Sequence, residues 1–363
     1  MKKIRIAVFI SLCPVILAFL SGCVITMPIG SRERYKKVEP VGEVPAELSR
    51  VVEENLFKDA NAVDGKVFML DVISADEKNG RYEKRLIMTD AYGAELLRYD
   101  FVSSAAMYND YYKPSSDGGV ILTDTDEGQN GGEPKLTVTK LDNKGNKVYE
   151  TEIASPGKTV VEVALERDGR LYLFCTEFKD LRKSTWDVYA DSDVFTAMLD
   201  ENGAVVKTRR YSGSDRDDLY YAEATDNGFR LYVASSSYDG DFEREKSPSI
   251  EEFDYIIETD LELNKTGMVK TDTPEDYPLS GVIGEEDGGP VRYYDSMFDD
   301  FDAGTPTLYI NYGDFYMVVS YNITWVNNFA PVFSLANNEH SETVYSGYDR
   351  NGGLIFRASV ANN

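Results

Sequence analysis

Two adjacent carboxylates, Asp200 and Glu201, lie in the segment MLDENGAVV and are followed closely by Gly203. Neighbouring acids could act as general acid and base, but this spacing is also typical of a turn, because Asp can accept a hydrogen bond from the backbone two residues further on. The Asp-x-x-Gly pattern recurs between apolar arms at Asp90/Gly93, Asp142/Gly145 and Asp349/Gly352, and Asp260 with Gly267 frames a longer version. We therefore predict a hairpin tip at Asp200 and Glu201, with Gly203 at the positive φ of a bulged type I turn.

The other reactive side chains narrow the chemistry further. His340 is the only histidine, so a Ser-His-Asp or Cys-His arrangement would have a single candidate base, and no Gly-x-Ser-x-Gly segment is present. The sequence also lacks Cys-x-x-Cys, a P-loop and a Gly-x-Gly-x-x-Gly segment that opens a helix. Carboxylate chemistry remains, such as glycoside hydrolysis between two acids about 5–10 Å apart. No pair among the 63 acidic residues is singled out by its spacing, so no catalytic residue is predicted.

Acidic loops raise the alternative of a calcium site. The segment DTDEGQNGGE supplies Asp124 and Asp126, but it departs from the EF-hand pattern at one ligand position and at the glycine position. The segment SGSDRDD supplies Asp215 and Asp217. Solvated charge explains these four carboxylates equally well. No cofactor is therefore predicted, and calcium at these residues is kept as an alternative.

A repeated pattern of strands must position these residues. Between residues 158 and 211 the pattern is complete: VVEVALE, the turn RDG, RLYLFC, a long loop, VFTAMLD, the turn ENG and AVVKTRRY. Apolar alternation on both sides of tight glycine turns predicts four antiparallel strands, which we call a to d. Similar units occur at residues 51–101, 102–153, 219–271 and 305–360.

Four-stranded units repeated about every 50–60 residues are typical of a β-propeller, so we predict an all-β fold of about five blades. The pattern resembles bacterial extracytoplasmic propeller repeats, in which a strand preceded by Gly-Gly alternates with a strand that ends in Asp-x-x-Gly. Residues 272–304 fit no unit, and GVIGEEDGGPVRYY could form an extra hairpin or half-unit, which leaves six blades as an alternative. A sandwich or a solenoid of the same hairpins is the other alternative.

The predicted meander separates short turns from long loops. The a–b and c–d turns lie at one rim, and the b–c loops lie at the opposite rim with the d–a connections. The b–c loops are predicted at residues 74–84, 124–135, 177–193, 235–253 and 321–342. Variable loops on a rigid scaffold commonly bind ligands. We therefore predict ligand contacts from the aromatic residues of these loops and the histidine, namely Trp186, Tyr189, Tyr238, Trp325 and His340.

The aromatic residues of the chain also allow structural interpretations. Trp186 and Trp325 could instead pack their own loops onto the blades, as amphipathic rings often do. Tyr220 and Tyr221 begin a predicted inner strand, so one ring is expected to face the core and the other a neighbouring blade.

The N-terminus has the layout of a secretory signal peptide. Three basic residues precede an apolar run at residues 6–20, which is too short and wrongly flanked for a spanning helix. The leader ends in LSGC at residues 20–23, and this segment resembles the lipobox of bacterial lipoproteins. The resemblance implies cleavage before Cys23 and lipid on its sulfur, where two or more acyl chains form a stable anchor. An ordinary cleaved signal with a chance cysteine is the alternative.

Charge and composition characterise the chain beyond the leader. Removing residues 1–22 takes away three basic and no acidic residues, so the net charge falls from −25 to −28. A chain this acidic cannot neutralise phosphates, which argues against a nucleic-acid partner. Residues 23–50, which include three prolines and two glycines, are predicted to form a tether, and residues 51–363 the propeller. Cys175 is expected to be buried, and no internal disulfide is expected once Cys23 is lipidated.

Together these features predict a lipid-anchored protein on the extracytoplasmic side of a bacterial membrane. We favour a binding or interaction module whose loop rim contacts a glycan or an envelope protein. The alternatives are a carboxylate-dependent, glycoside hydrolase-like enzyme and a structural component of the envelope.

Overall fold

The fold is nearly all β. A computed structural model describes residues 38–58, 60–63, 65–76, 80–103, 111–126, 134–154, 157–179, 191–242, 253–271, 285–286, 289–290, 305–326 and 338–362. Within these residues the strands form five four-stranded antiparallel sheets and a two-stranded hairpin. The only α-helix in the described ranges is α1 (Ser49–Glu53), which follows a 3₁₀ turn at Ala46–Leu48.

The five sheets are blades 1 to 5 in chain order. Blade 1 contains β1 (Asn61–Val63), β2 (Lys66–Asp76), β3 (Arg81–Thr89) and β4 (Glu95–Ser103). Blade 2 contains β5 (Tyr111–Pro114), β6 (Val120–Asp126), β7 (Lys135–Leu141) and β8 (Lys147–Ala154). Blade 3 contains β9 (Lys158–Arg167), β10 (Arg170–Phe178), β11 (Ser192–Leu199) and β12 (Val205–Tyr211). Blade 4 contains β13 (Asp217–Thr225), β14 (Gly228–Ser235), β15 (Phe253–Asp260) and β16 (Lys265–Thr271). The hairpin of β17 (Glu285–Glu286) and β18 (Gly289–Pro290) precedes blade 5, which contains β19 (Thr305–Asn311), β20 (Phe315–Val326), β21 (Asn338–Asp349) and β22 (Leu354–Ala361).

Every blade is a meander in which four consecutive strands pair in chain order. The inner strands join neighbouring blades, since β9 contacts both β5 and β13, and β19 contacts β1. The last blade therefore packs against the first, as expected for a ring of blades and not for an open solenoid. This arrangement confirms the predicted β-propeller of about five blades.

Burial explains the difference between the strands of one blade. The third strand of blade 3, β11, is buried at every position because it lies between two strands and two neighbouring blades. The outer strand β12 pairs with only one strand of its sheet, and its Val205 and Val206 are exposed. Buried and exposed positions alternate in the outer strand β4 of blade 1, where one side of the strand meets solvent.

The Asp-x-x-Gly segments are the c–d turns of the blades. In each of them the Asp carboxylate accepts hydrogen bonds from the backbone two and four residues further on, as in Asn202 N to Asp200 Oδ1 (2.9 Å) and Ala204 N to Asp200 Oδ1 (2.8 Å). Gly203 has a φ of 83°, and its amide donates to Asp200 O over 3.0 Å. The prediction that Asp200 and Glu201 form a hairpin tip is confirmed.

The c–d turn of blade 4 differs from the prediction. The residue at the positive φ is Leu263 (φ 56°), and Gly267 lies inside β16. The strained backbone of Leu263 is stabilised in two ways. Its side chain is fully buried, and its carbonyl accepts a 2.9 Å hydrogen bond from the Tyr211 hydroxyl of blade 3. Burial of an apolar side chain and a buried hydrogen bond outweigh the roughly 1 kcal/mol cost of the left-handed backbone.

These c–d turns also fix the position of one blade against the next. A Cβ added at Gly203 would lie 2.5 Å from the Tyr149 ring on the outer strand of blade 2. The hydroxyl of Thr151 on the same strand donates to Gly203 O over 2.6 Å. Glycine at this turn therefore serves two purposes, namely the positive φ and the close approach of a neighbouring aromatic ring.

An N-terminal segment closes the ring between blades 5 and 1. Val41 pairs with Arg357 of β22 through two backbone hydrogen bonds of 3.0 and 2.8 Å. Leu48 and Val51 are fully buried in a core cluster with residues of both blades, including Tyr345. Residues 38–50, which the sequence assigns to the second half of the tether, thus pack on the propeller.

Two connections compare differently with their predictions. The first b–c loop is shorter than residues 74–84, because β2 continues to Asp76 and β3 begins at Arg81. Residues 272–304, which fit no repeat, include the β17–β18 hairpin, in agreement with the extra hairpin considered from sequence. No helix among the described residues is both long and apolar enough to cross a bilayer.

Candidate functional site

The predicted ligand contacts are distributed unevenly over the described structure. Trp186 and Tyr189 lie outside the described residues. Tyr238 is half-buried at the start of the b–c loop of blade 4, next to a 3₁₀ turn at Gly240–Phe242. The loop prediction is wrong for Trp325 and His340, which lie in the long strands β20 and β21.

The backbone register explains that correction. Trp325 pairs with Glu339, and His340 pairs with Thr324 on the adjacent strand. The ladder between β20 and β21 therefore extends beyond the range that the apolar pattern suggested, and it leaves a shorter b–c loop. Both residues remain at the rim where the b–c loops are found, and their role in binding stays a prediction.

The four candidate calcium ligands do not form one site. Asp124 lies in β6 and accepts a 2.6 Å hydrogen bond from the hydroxyl of Ser103 in blade 1, and Asp126 ends the same strand. Asp215 and Asp217 lie far along the chain, at the connection between blades 3 and 4. Among the residues that the structure describes, no three His, Cys, Asp or Glu side chains are placed to hold a metal ion together.

A repeated irregularity marks the inner strands of blades 3, 4 and 5. In β9, Val161 and Val163 pair with consecutive residues of β10, which leaves Glu162 bulged between them. Tyr220 in β13 and Thr307 in β19 are skipped in the same way, and each lies five residues before the residue that closes the a–b turn. Bulges redirect side chains and are common near functional sites. The three blades therefore carry equivalent bulges at one height of the inner wall.

Glu162 is the least compensated carboxyl at this height. It is half-buried, and it makes no hydrogen bond or ion pair with any residue that the structure describes. Burial raises the pKa of Glu162 to about 7, and the negative charge of Asp218 on β13 acts in the same direction. At neutral pH this side chain is therefore divided between its protonated and its ionised form.

Asp218 has the opposite environment. It is only 7% exposed, and its carboxylate accepts a 2.6 Å hydrogen bond from the Ser192 hydroxyl and forms an ion pair with Arg216. The positive guanidinium compensates the charge of Asp218. Two neighbouring inner strands thus place a partnered carboxylate near a carboxyl that has no partner among the described residues.

Asp217, which is buried next to Asp218, is a third carboxyl in this region, but its contacts do not make it a candidate for ligand binding. It is fully buried and accepts hydrogen bonds from the hydroxyls of Ser235 (2.6 Å) and Ser237 (3.1 Å) and from the amide of Gly213 (2.8 Å). Burial raises the pKa of Asp217 to about 7, although these hydrogen bonds act to lower it. Its contacts hold the d–a connection against the b–c loop of blade 4, which is a structural role.

Further charged contacts keep the strand ends of blade 3 rigid around the pair. Glu177 is fully buried, and its carboxylate accepts two hydrogen bonds from the Arg210 guanidinium, of 2.6 and 2.9 Å. Lys179 lies 2.8 Å from Asp193, whose pKa is raised by burial in spite of that contact. Cys175 is fully buried, as predicted, and burial raises the pKa of its thiol.

The opposite rim holds a cavity of about 250 Å³ between blades 2 and 3. Asp200 and Glu201 contribute to its wall, together with Lys140 and Glu166. Lys140 lies 3.0 Å from Glu166 and 3.1 Å from Asp117, so the charges around this cavity compensate one another. The cavity therefore offers a ligand no unpartnered group comparable to Glu162 among the residues that the structure describes.

Sequence reasoning did not identify Glu162. A glutamate in VVEVALE fits an ordinary alternating strand, and the bulge that removes its partner depends on the register with β10. Tyr220 was expected to face the core or a neighbouring blade, but it is 44% exposed. A signal was nevertheless present, since Glu162 and Tyr220 occupy equivalent positions of their repeats.

The comparisons with known proteins are distant. No protein-family model and no curated protein sequence matches the chain. Among solved structures, the β-propeller domain of the Trilobed protease from Pyrococcus furiosus aligns at 13% identity and a TM-score of 0.36, over 84% of this chain and 94% of that chain. B. megaterium levansucrase aligns at 12% identity and a TM-score of 0.34, over 84% of this chain and 82% of that chain. The α-L-arabinofuranosidase Arb93A of Fusarium graminearum aligns at 10% identity and a TM-score of 0.36, over 82% of this chain and 90% of that chain. Similarity at this level carries no argument about function.

Proposed function

We propose that the protein is an extracytoplasmic lipoprotein, anchored to a bacterial membrane through Cys23, whose propeller binds a component of the cell envelope with its inner wall and its loop rim. The observation that supports the binding role is Glu162 on the inner wall, which has no partner among the described residues, together with the exposed Tyr220 at the equivalent bulge of the neighbouring blade. Rigid scaffolds with a few unsatisfied polar groups in a concave surface are typical of ligand-binding proteins.

The anchor is supported by the LSGC segment at residues 20–23 and by the acidic, readily exported composition. Expression of the full chain with its leader in a bacterium tests it directly. We expect the protein to partition into the detergent phase and to incorporate a labelled fatty acid. Cys23→Ser is expected to abolish both, and an unchanged partition of that variant would contradict the anchor.

The binding role is tested with the full mature chain and an insoluble cell-envelope preparation. We expect co-sedimentation that saturates with protein concentration. A chain that stays in the supernatant at every envelope concentration would contradict the role. The predicted tether, of which residues 38–50 pack on the propeller, would keep the propeller within roughly 30 Å of the membrane, where such material is present.

A second function, a carboxylate-dependent hydrolase acting on glycosides, is favoured by one observation. Glu162 holds a proton near neutral pH, whereas Asp218 is paired with Arg216, and contrasting environments of this kind separate an acid from a charged carboxylate. Release of reducing sugar from envelope polysaccharide tests this function. An enzyme would lose about 10²–10⁴-fold in rate on Glu162→Gln, because a general acid would be removed.

A further inference from the structure

The register defines two side chains at one height of the inner wall. Glu162 and Tyr220 occupy equivalent bulges in β9 and β13, and these two strands contact one another across the boundary between blades 3 and 4. Each strand forms the edge of its sheet, since β9 pairs only with β10 and β13 only with β14 within the described sheets. The two bulged residues therefore lie on strands that line the axis of the propeller.

Tyr220 offers a ring to solvent on a strand that is otherwise largely buried. Its neighbours Leu219 and Ala222 are 2% and 1% exposed, whereas Tyr220 is 44% exposed. An exposed aromatic ring with an apolar face is a surface on which the C–H face of a sugar ring can pack. The only other exposed residue of β13 is Ala224, next to the end of the strand, so the exposure of Tyr220 belongs to the bulge and not to a loop.

Glu162 complements that ring with hydrogen-bonding capacity that no described residue uses. A carboxyl in its protonated form both donates and accepts, which suits a hydroxyl group that does the same. The adjacent carboxylate, Asp218, is already compensated by Arg216 and by the Ser192 hydroxyl. The wall at this height therefore presents little uncompensated charge when Glu162 holds its proton.

We propose that Glu162 and Tyr220 form a subsite for a neutral carbohydrate on the inner wall of the propeller. This inference rests on the proposed binding function and specifies its ligand class and its position. The subsite is distinct from the rim residues Trp186, Tyr189, Tyr238, Trp325 and His340, which were predicted from the sequence.

The charged and titratable groups around Glu162 make the choice of ligand testable. Asp218 faces it from β13, and Cys175 interacts with it electrostatically from β10, where Glu177 acts on Cys175 in turn. A neutral sugar binds best while Glu162 is protonated, so its affinity falls as the pH rises through about 7. A cationic ligand would show the reverse dependence, because it would need the ionised carboxylate.

The test measures binding of the full mature chain to an array of neutral, cationic and anionic glycans at pH 6 and pH 8.5. We expect binding to neutral members that weakens at least about tenfold at the higher pH. Tyr220→Ala should weaken it about tenfold or more at pH 6, as expected for loss of a stacked ring. Glu162→Gln should stay within about threefold of wild type at pH 6 and lose the pH dependence, because the amide cannot ionise.

Tyr92→Ala is the matched control, because Tyr92 is similarly exposed (47%) but lies in a c–d turn at the opposite rim. Its binding should equal that of wild type. Free neutral oligosaccharides and the same sugars within an insoluble polymer are compared in parallel. Equal competition by both indicates recognition of the sugar itself, and retention by the polymer alone indicates a site for a chain segment; either supports the subsite.

Three results would overturn the inference. They are binding to charged glycans only, an array without any bound neutral glycan, and neutral binding that survives Tyr220→Ala. The proposed function remains testable on its own, since a protein that co-sediments with envelope material yet binds no neutral glycan retains the binding role. If the protein neither co-sediments with envelope material nor binds a neutral glycan, the binding role is rejected as well.

Discussion

Two glutamates on β9, Glu166 and Glu162, differ sharply in the partners that surround them. Glu166 lies toward the short-turn rim, where it accepts hydrogen bonds from Ser115 and from the Ser116 amide and pairs with Lys140. Glu162 lies four residues earlier and has none of these partners among the described residues. Burial alone would raise both pKa values, but the partners of Glu166 lower its pKa, whereas the pKa of Glu162 rises to about 7.

The difference teaches that burial and function need separate arguments. Hydrogen bonds and a cation convert the buried Glu166 into a fixed part of the fold, because they stabilise its charged form. The same residue type without partners keeps its capacity to bind something else. Substitutions at both ends of the strand, and at the neighbouring turn, test this contrast.

Gly203→Val should have the largest effect on stability, because Gly203 lies in a c–d turn that contacts the neighbouring blade. The new side chain would require a left-handed backbone and would meet the Tyr149 ring at 2.5 Å. We expect a loss of about 3 kcal/mol in the free energy of unfolding, measured by urea denaturation. Gly169→Val is the control, since Gly169 also has a positive φ (77°) but has no atom within 4 Å of the added Cβ, and it should lose only about 1 kcal/mol. Equal losses in the two variants would show that the contact between blades contributes nothing.

Lys140→Met tests the compensated end of β9. Removal of the ammonium leaves Glu166 and Asp117 without their cation, and we expect a loss of about 2 kcal/mol at pH 7, measured by urea denaturation. A carboxyl with a lowered pKa stabilises the fold above its unfolded pKa and ceases to do so as the pH falls. The deficit of the variant should therefore shrink below about pH 4. A deficit that is the same at both pH values would mean that packing, and not charge, is what Lys140 provides.

Glu162→Gln tests the other end of the strand with the opposite sign. A raised folded pKa means that the unfolded chain releases this proton first, so wild type loses stability as the pH rises from about 4.5 to about 7. The variant avoids this loss, and we expect it to gain about 2 kcal/mol relative to wild type between pH 5 and pH 8.5. The measurement is urea unfolding at both pH values. A constant difference between variant and wild type would contradict the raised pKa.

The two acids of this turn should give the smallest effects. Asp200→Ala removes the acceptor of two backbone hydrogen bonds and should cost about 1 kcal/mol in thermal or urea unfolding. Glu201→Gln should remain within about 0.5 kcal/mol, because the side chain lies at an exposed hairpin tip. Any hydrolase activity should be unchanged in both variants. A large loss of activity in Glu201→Gln would restore the catalytic interpretation of this acid pair.

The sequence predicts most of the fold because its signals are local. An Asp-x-x-Gly segment specifies its turn with four residues, and apolar alternation specifies the strands on both sides. The exceptions are positions where distant residues decide. Leu263 takes the place expected for a glycine because Tyr211 and the core of blades 3 and 4 hold it there.

The candidate site was harder to predict for the same reason. The bulge at Glu162 exists only through its register with Phe174 and Cys175, two residues on another strand. Trp325 and His340 appeared to be loop residues because the ladder that pairs them extends through polar sequence. Composition restricted the chemistry to carboxylates, but only tertiary contacts separate Glu162 from the many acids that are compensated or solvated.

Cys175 has a practical consequence for studies of this propeller. Its thiol is fully buried in the cluster of residues that joins blades 2 and 3, and it is the only free cysteine in the part of the chain that the structure describes. A thiol reagent can reach it only when those blades separate, so the labelling rate reports how often the propeller opens locally at that boundary. Comparing this rate with and without a bound glycan would show whether occupation of the inner wall restrains the neighbouring blades.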